Sequence, residues 1–232
     1  MKKVGIIIFA GALVLGLVFS NMFTFGKAKE GLFNFSFFSG VRGSGNTITE
    51  KRDLTGFRAV DVGGIFKVEI TAQKDFAVEV EADDNLMPLI ETEVEGGVLK
   101  IESDKRLSSH NPIRIRISAP NIETLQVSGA SNVTIGGLKN SALAVDSSGA
   151  SKVAVEGETA RLTVDVSGAS KIDAENLKAI DANIDASGAS HVNVNVSGEL
   201  KSDASGASRI VYAGTPASVQ KKTSGAGSVS PK

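Results

Sequence analysis

Two files of charged residues recur through the second half of the chain at almost equal intervals. Asp146, Asp165, Asp185 and Asp203 form one file, and Lys152, Lys171, His191 and Arg209 form the other. A row of carboxylates points to one of two chemistries. One is a divalent-cation ladder; the other is acid–base work on a sugar chain, as in a polysaccharide lyase or hydrolase. A row of cations points to a track for an anionic glycan. Calcium needs six to eight oxygens gathered at one point, and single carboxylates in file supply them poorly. The simplest reading is two solvated stripes that keep the strand faces from pairing with other sheets.

Other chemistries lack their residues. The chain has no cysteine, hence no thiolate ligand or nucleophile. His110 and His191 are its only histidines, and neither has a partner at zinc-ligand spacing. Gly43–Gly45 and Gly136–Gly137 stand outside the strand–GxGxxG–helix setting of a phosphate cradle. The formal net charge is −1, and no basic patch is interleaved with aromatics, so nucleic acid is not an expected partner. No cofactor is expected.

The elements that would hold the two files are set by a repeated tetrapeptide. Ser-Gly-Ala-Ser starts at Ser128, Ser148, Ser167, Ser187 and Ser205, and a variant starts at Ser224. Its glycines are Gly129, Gly149, Gly168, Gly188, Gly206 and Gly225. A fixed period of about 19–20 residues is the mark of a solenoid, in which each repeat is one turn stacked on the next. Three residues before each leading serine stand Leu125, Val145, Val164 and Ile184; five after stand Val133, Val153, Ile172, Val192 and Ile210. Apolar, mostly β-branched residues two apart suit pleated strands. The expected fold is all-β, a right-handed parallel β-helix with two strand arms per coil, bent at Ser-Gly-Ala-Ser. Glycine supplies the positive φ of the corner. Alanine is expected where the bend brings backbones close, and the serines are expected to bond backbone or each other. No base accompanies the serines, so they read as structural.

A single coil buries too few side chains to offset the entropy of ordering it, so the coils must stack. In the last coil the inward positions degrade to Lys221 and Thr223, and Pro216 and Pro231 appear; such a coil blunts an open edge.

Ahead of the repeats, Val60–Val62, Phe66–Ile70, Val78–Val80, Val98–Ile101 and Ile113–Ile117 alternate as short strands of less regular coils. Asp84–Ile90 reads as one helical turn, capped by Asp83 or Asp84 and limited by Pro88. At the start, Lys2 and Lys3 precede an apolar run from Val4 to Phe25, long enough to span a bilayer. It reads as an uncleaved anchor with the lysines in the cytoplasm, or as a signal peptide cleaved near Gly26-Lys27-Ala28. Either places the rest of the chain outside the cytoplasm, membrane-attached or secreted. The expected organisation is 1–26 leader or anchor, 27–45 linker and 46–230 β-helix, with regular repeats over 121–230.

Three stretches resemble the autotransporter adhesin head domain family, also called the head GIN domain family, of exported bacterial proteins. They are Phe57–Ile70, then Ala82–Leu86 with Gly97–Ile101, then Ile115–Pro120 leading into the Ser-Gly-Ala-Ser turns. The resemblance covers about Asn46 to Val229. It implies a β-helix shaped like the pectin-lyase folds without a lyase site, and a role in cell-surface adhesion; it supplies no catalytic residues. The expected function is therefore a non-enzymatic envelope protein, an adhesin or surface scaffold binding a glycan or protein. The alternatives are a carbohydrate-active β-helix enzyme and an envelope protein that self-assembles into homo-oligomers.

Overall fold

The structure, a computed structural model, describes residues 40–232. The segment read as leader or anchor, with most of the linker, lies outside the described residues. Among the described residues no helix is long and apolar enough to cross a membrane.

Eighteen strands follow one another among the described residues. The first nine are β1 (Val41–Arg42), β2 (Thr47–Arg52), β3 (Ala59–Gly64), β4 (Lys67–Ala72), β5 (Ala77–Asp83), β6 (Glu91–Glu95), β7 (Val98–Glu102), β8 (Leu107–Ser108) and β9 (Arg114–Ala119). The second nine are β10 (Thr124–Gly129), β11 (Asn132–Ser147), β12 (Lys152–Val166), β13 (Lys171–Ala186), β14 (His191–Val196), β15 (Glu199–Ala204), β16 (Arg209–Ala213), β17 (Ser218–Thr223) and β18 (Ser228–Pro231).

From β10 onward every ladder is parallel and links one coil to the next. Leu125 pairs with Val145, Val145 with Val164, Val164 with Ile184, and Ile184 with Ser202. This is the expected β-solenoid. Its interior is the file of Val, Ile and Leu side chains predicted from the period, nearly all with no more than a few per cent of their surface exposed.

The coil is more than two arms and a corner. β11 runs past the arm at Val133 and Ile135, shifts register between Ile135 and Leu138, and continues to Ser147. Similar shifts fall between Ala154 and Gly157 and between Ala174 and Lys178. Beyond each shift a short run turns Leu138, Thr159, Leu177 or Ala179 into the core. A further inward file, Leu143, Leu162, Ala182 and Leu200, precedes the one foreseen. Each coil thus buries three runs of side chains.

The regular array also begins earlier than Asn121. β10 pairs in parallel with β3, and β11 with β4, so the coil of residues 59–72 stacks directly beneath the first tetrapeptide coil. Beneath it lies a coil made of β7 and β9. The end of the stack is closed by reversal of direction: β6 pairs antiparallel with β7, β5 with β9, and β2 with β5. These antiparallel strands cover β7 and β9, the edges to which a further parallel coil would otherwise add. The opposite end is blunted as expected. Lys221 stands in an inward file but is exposed, its ammonium 4.9 Å from the centre of the Tyr212 ring.

The helical turn is shorter than read, a 3-10 turn at Met87–Leu89, and no side chain caps it. Asp83 and Asp84 instead tie down the loop after β8 and the incoming chain, respectively. Asp83 is buried and accepts from Ser109 Oγ at 2.8 Å; Asp84 accepts from Ser44 Oγ at 2.5 Å and Asn46 Nδ2 at 2.9 Å. The β fold therefore includes the last residues of the segment read as linker, where β1 also pairs with β8.

On the outer side of the closed end, Arg114 meets Glu81 at 2.7 Å, and Arg116 bridges Glu79 at 2.8 Å and Glu81 at 2.9 Å. Hydrogen bonds from Arg114 and then Arg116 hold the Glu81 carboxyl below the ordinary glutamate value of 4.5. A group whose pKa is lowered on folding contributes stability above its unfolded value and loses it as pH falls through the folded one. Glu81→Gln is therefore expected to flatten the loss of stability below about pH 4.5, measured as the urea midpoint against pH, and to change little of the pH dependence near neutrality.

Candidate binding surface

The corner sets where the charged files stand. Its glycines adopt left-handed backbone, φ +89° at Gly129 and +73° at Gly188, and stack carbonyl over amide. Ala189 N–H donates to Gly168 O at 2.8 Å and Ala207 N–H to Gly188 O at 2.7 Å, so the parallel ladder continues through the bend. A Cβ on Gly188 would stand 2.5 Å from Gly168 O. The close approach is thus at glycine. The alanines expected there, Ala130, Ala150, Ala169, Ala189 and Ala207, are exposed and form an outer ridge.

The closing serines turn inward. Ser131, Ser151, Ser170, Ser190 and Ser208 are all buried. Ser131 Oγ donates to Gly64 O and accepts from Phe66 N–H, both at 3.0 Å; Ser151 and Ser170 hydroxyls lie 3.3 Å apart; Ser208 Oγ donates to Ala186 O at 3.0 Å. Ser190 Oγ is buried with no partner. The bonded hydroxyls serve the ladder of the bend, and all five face no solvent from which a substrate could approach.

The acidic file stands on one side of the corner. Asp146 pairs in register with Asp165, Asp165 with Asp185, and Asp185 with Asp203, at a rung spacing of about 4.8 Å. The structure extends the file in both directions through Gln126 to Asp61 and Lys100, and through Asp203 to Lys222. Lys222 Nζ lies 2.6 Å from Asp203 Oδ2, and that hydrogen bond holds the ammonium above its ordinary pKa. An open hollow of about 320 Å³ follows this file and the neighbouring leading serines, lined by Asp165, Asp185, Ser187, Asp203, Ser205 and Lys222. Among the described residues no three His, Asp or Glu side chains converge as metal ligands.

The basic file stands on the other side. Lys152, Lys171, His191 and Arg209 are consecutive in register. Below them the file continues through Asn132 to Lys67 and Arg114. The two ends differ. Arg114 is bonded to Glu81 and Lys67 lies 2.8 Å from Glu69, whereas Lys152, Lys171 and Arg209 are exposed and make no ion pair among the described residues. No ion pair among the described residues joins the acidic file to the basic one. Neighbouring rungs bring each file together; the corner keeps the two apart.

Reading the tetrapeptide alone missed Asp61, Lys67, Lys100 and Arg114. The signal was present in weaker form. Val60-Asp-Val-Gly-Gly-Ile-Phe-Lys-Val68 aligns with Leu125-Gln-Val-Ser-Gly-Ala-Ser-Asn-Val133, glycine on glycine.

Residues 56–216 match the model of the family described as putative auto-transporter adhesin, head GIN domain, and the chain belongs to that family. Among solved structures, a putative adhesin from Bacteroides fragilis superposes with a TM-score of 0.70 at 22% identity, covering 83% of this chain and 100% of that one. A putative adhesin from Parabacteroides merdae superposes with a TM-score of 0.54 at 19% identity, covering 84% of this chain and 100% of that one. At these identities the likeness is one of fold. No curated protein matches the chain.

Proposed function

We propose that this member of the head GIN domain family is a non-enzymatic, adhesin-like module of the bacterial cell envelope, contacting a glycan or protein partner through the flat arms of its solenoid. The observation that carries the reading is the in-register outer surface. Side chains repeat rung after rung on both sides of the corner, as extended contact requires, and the carboxylates stand in file without a histidine or second acid across from them. Glycoside hydrolysis ordinarily uses two carboxyl groups flanking the scissile bond. The adhesin description of the family agrees with this reading.

Residues 4–25 would hold the module to the membrane, or direct its export if cleaved. End-to-end polymerisation is disfavoured by the antiparallel closure at β2, β5 and β6 and by Lys221, Lys222 and Pro231 at the other end.

The test is a glycan and surface-protein array probed with the purified full chain, run beside a depolymerisation assay on the glycans it retains. Retention without product release is expected. Release of oligosaccharide abolished by Asp→Asn changes along the acidic file would replace this reading with the enzymatic one.

A further inference from the structure

We infer that the unpaired stretch of the basic file is a track for a linear polyanionic glycan lying along the solenoid axis; the inference rests on the adhesin-like reading and names its ligand class. Lys152, Lys171, His191 and Arg209 occupy four successive rungs about 4.8 Å apart, comparable to one pyranose residue. The same file is neutralised at the closed end of the stack, where Glu81 and Glu69 take Arg114 and Lys67. Farther along, Lys152, Lys171 and Arg209 make no ion pair among the described residues, although Asp173 stands two residues from Lys171.

The flanks fit a single chain. On one side lies the exposed alanine ridge of the corner; on the other, the outward positions of the same arms hold Thr134, Ala154, Asp173, Asn193 and Val211. Asp173 is the one acid among these five, half-buried with its carboxylate accepting from Glu175 N–H. The strip is therefore one cation wide, bordered by small and mostly neutral groups. A duplex nucleic acid or a lipid surface presents charge across a broad front, which a single row engages poorly, and the next face of the solenoid carries the acidic file. A flexible chain bearing one carboxylate or sulfate every one or two sugars can set its anions on the row, with the alanine methyls beneath its ring faces.

The test is binding of polygalacturonate to the purified full chain at low and physiological salt, with dextran as neutral control and phosphatidylglycerol vesicles as a second anionic surface. Wild type is expected to bind polygalacturonate, more weakly as salt rises, and to leave dextran unbound; any vesicles it takes up through residues 4–25 should be taken up equally once Lys152, Lys171 and Arg209 are changed to Gln. The Lys152→Gln/Lys171→Gln/Arg209→Gln variant is expected to lose at least about tenfold in affinity while melting like wild type. Asp146→Asn/Asp165→Asn/Asp185→Asn, on the other side of the corner, is expected to bind at least as well as wild type. Equal binding of polygalacturonate by wild type and the triple-glutamine variant overturns the inference, as does capture of vesicles, and not of polygalacturonate, that the glutamine substitutions abolish. If wild type holds only neutral glycans or a protein on the array, this inference falls and the adhesin-like reading stands; if it holds nothing there, both fall.

Discussion

Gly188→Ala is expected to destabilise the solenoid by about 2–5 kcal/mol, a large part of the roughly 5–15 kcal/mol that holds a domain together. Two costs add. A residue with a Cβ in left-handed backbone costs about 1–2 kcal/mol. The new methyl would also stand 2.5 Å from Gly168 O, and relieving that overlap by backbone movement costs a further ~1–3 kcal/mol. The oxygen cannot simply retreat, because it accepts the Ala189 N–H at 2.8 Å and so carries the ladder through the corner. Chemical denaturation at neutral pH measures the loss. Two comparisons make it specific. Ala189→Ser, one residue along on the exposed ridge, is expected to change stability by no more than about 0.5 kcal/mol. Gly45→Ala has a similar φ, +86°, with nothing near its would-be Cβ, and is expected to cost only about 1–2 kcal/mol. If Gly188→Ala costs no more than Gly45→Ala, stacking at the corner is not what selects glycine.

That corner shows how the sequence carries structural information. Period and glycine were legible because one strict requirement recurs at every coil. The alanine was misread because a small residue is compatible both with a tight interior and with an exposed ridge, and composition alone cannot separate the two. The apolar files next to the tetrapeptide were legible through β-branched residues at a spacing of two. Leu143, Leu162, Ala182 and Leu200 were not, because the register shift between Ile135 and Leu138, or between Ala154 and Gly157, breaks the count that links them to the arm before. The closed end was least legible. Its strands alternate well enough to be found, but chain order hides that the coil of residues 59–72 is inserted between the coil of 98–119 and that of 124–136. Nothing local in Val98–Ile101 or Ile113–Ile117 says that the chain has stepped outward past its own first coil. The charged files were visible from the repeats, yet the contrast between their paired and free ends was not. That contrast depends on Glu79 and Glu81 arriving antiparallel from β5, beside Arg114 and Arg116.

The same asymmetry predicts where the molecule opens. Leu162 is buried, with Leu143 in register on one side and Ala182 on the other. Leu162→Ala is expected to cost about 2–5 kcal/mol, toward the upper part because an alanine neighbour cannot fill the space left. A stack whose coils touch only their neighbours transmits such a defect as a weakened interface rather than a uniform loss. On the far side of that interface the inward positions become Ser202 and Ala204, then Lys221 and Thr223, so these coils have less apolar surface to hold them. On the near side the stack is closed by antiparallel strands over Phe57, Leu86, Met87 and Leu99. Hydrogen exchange of Leu162→Ala is therefore expected to show β13 to β18 losing protection first and most, with β3, β4, β7 and β9 holding close to wild-type rates. Leu200→Ala, two rungs further along the same file, should confine its effect to β15 to β18. Equal loss of protection along the whole array in either variant would show that the coils unfold as one unit and that the closed end does not anchor them.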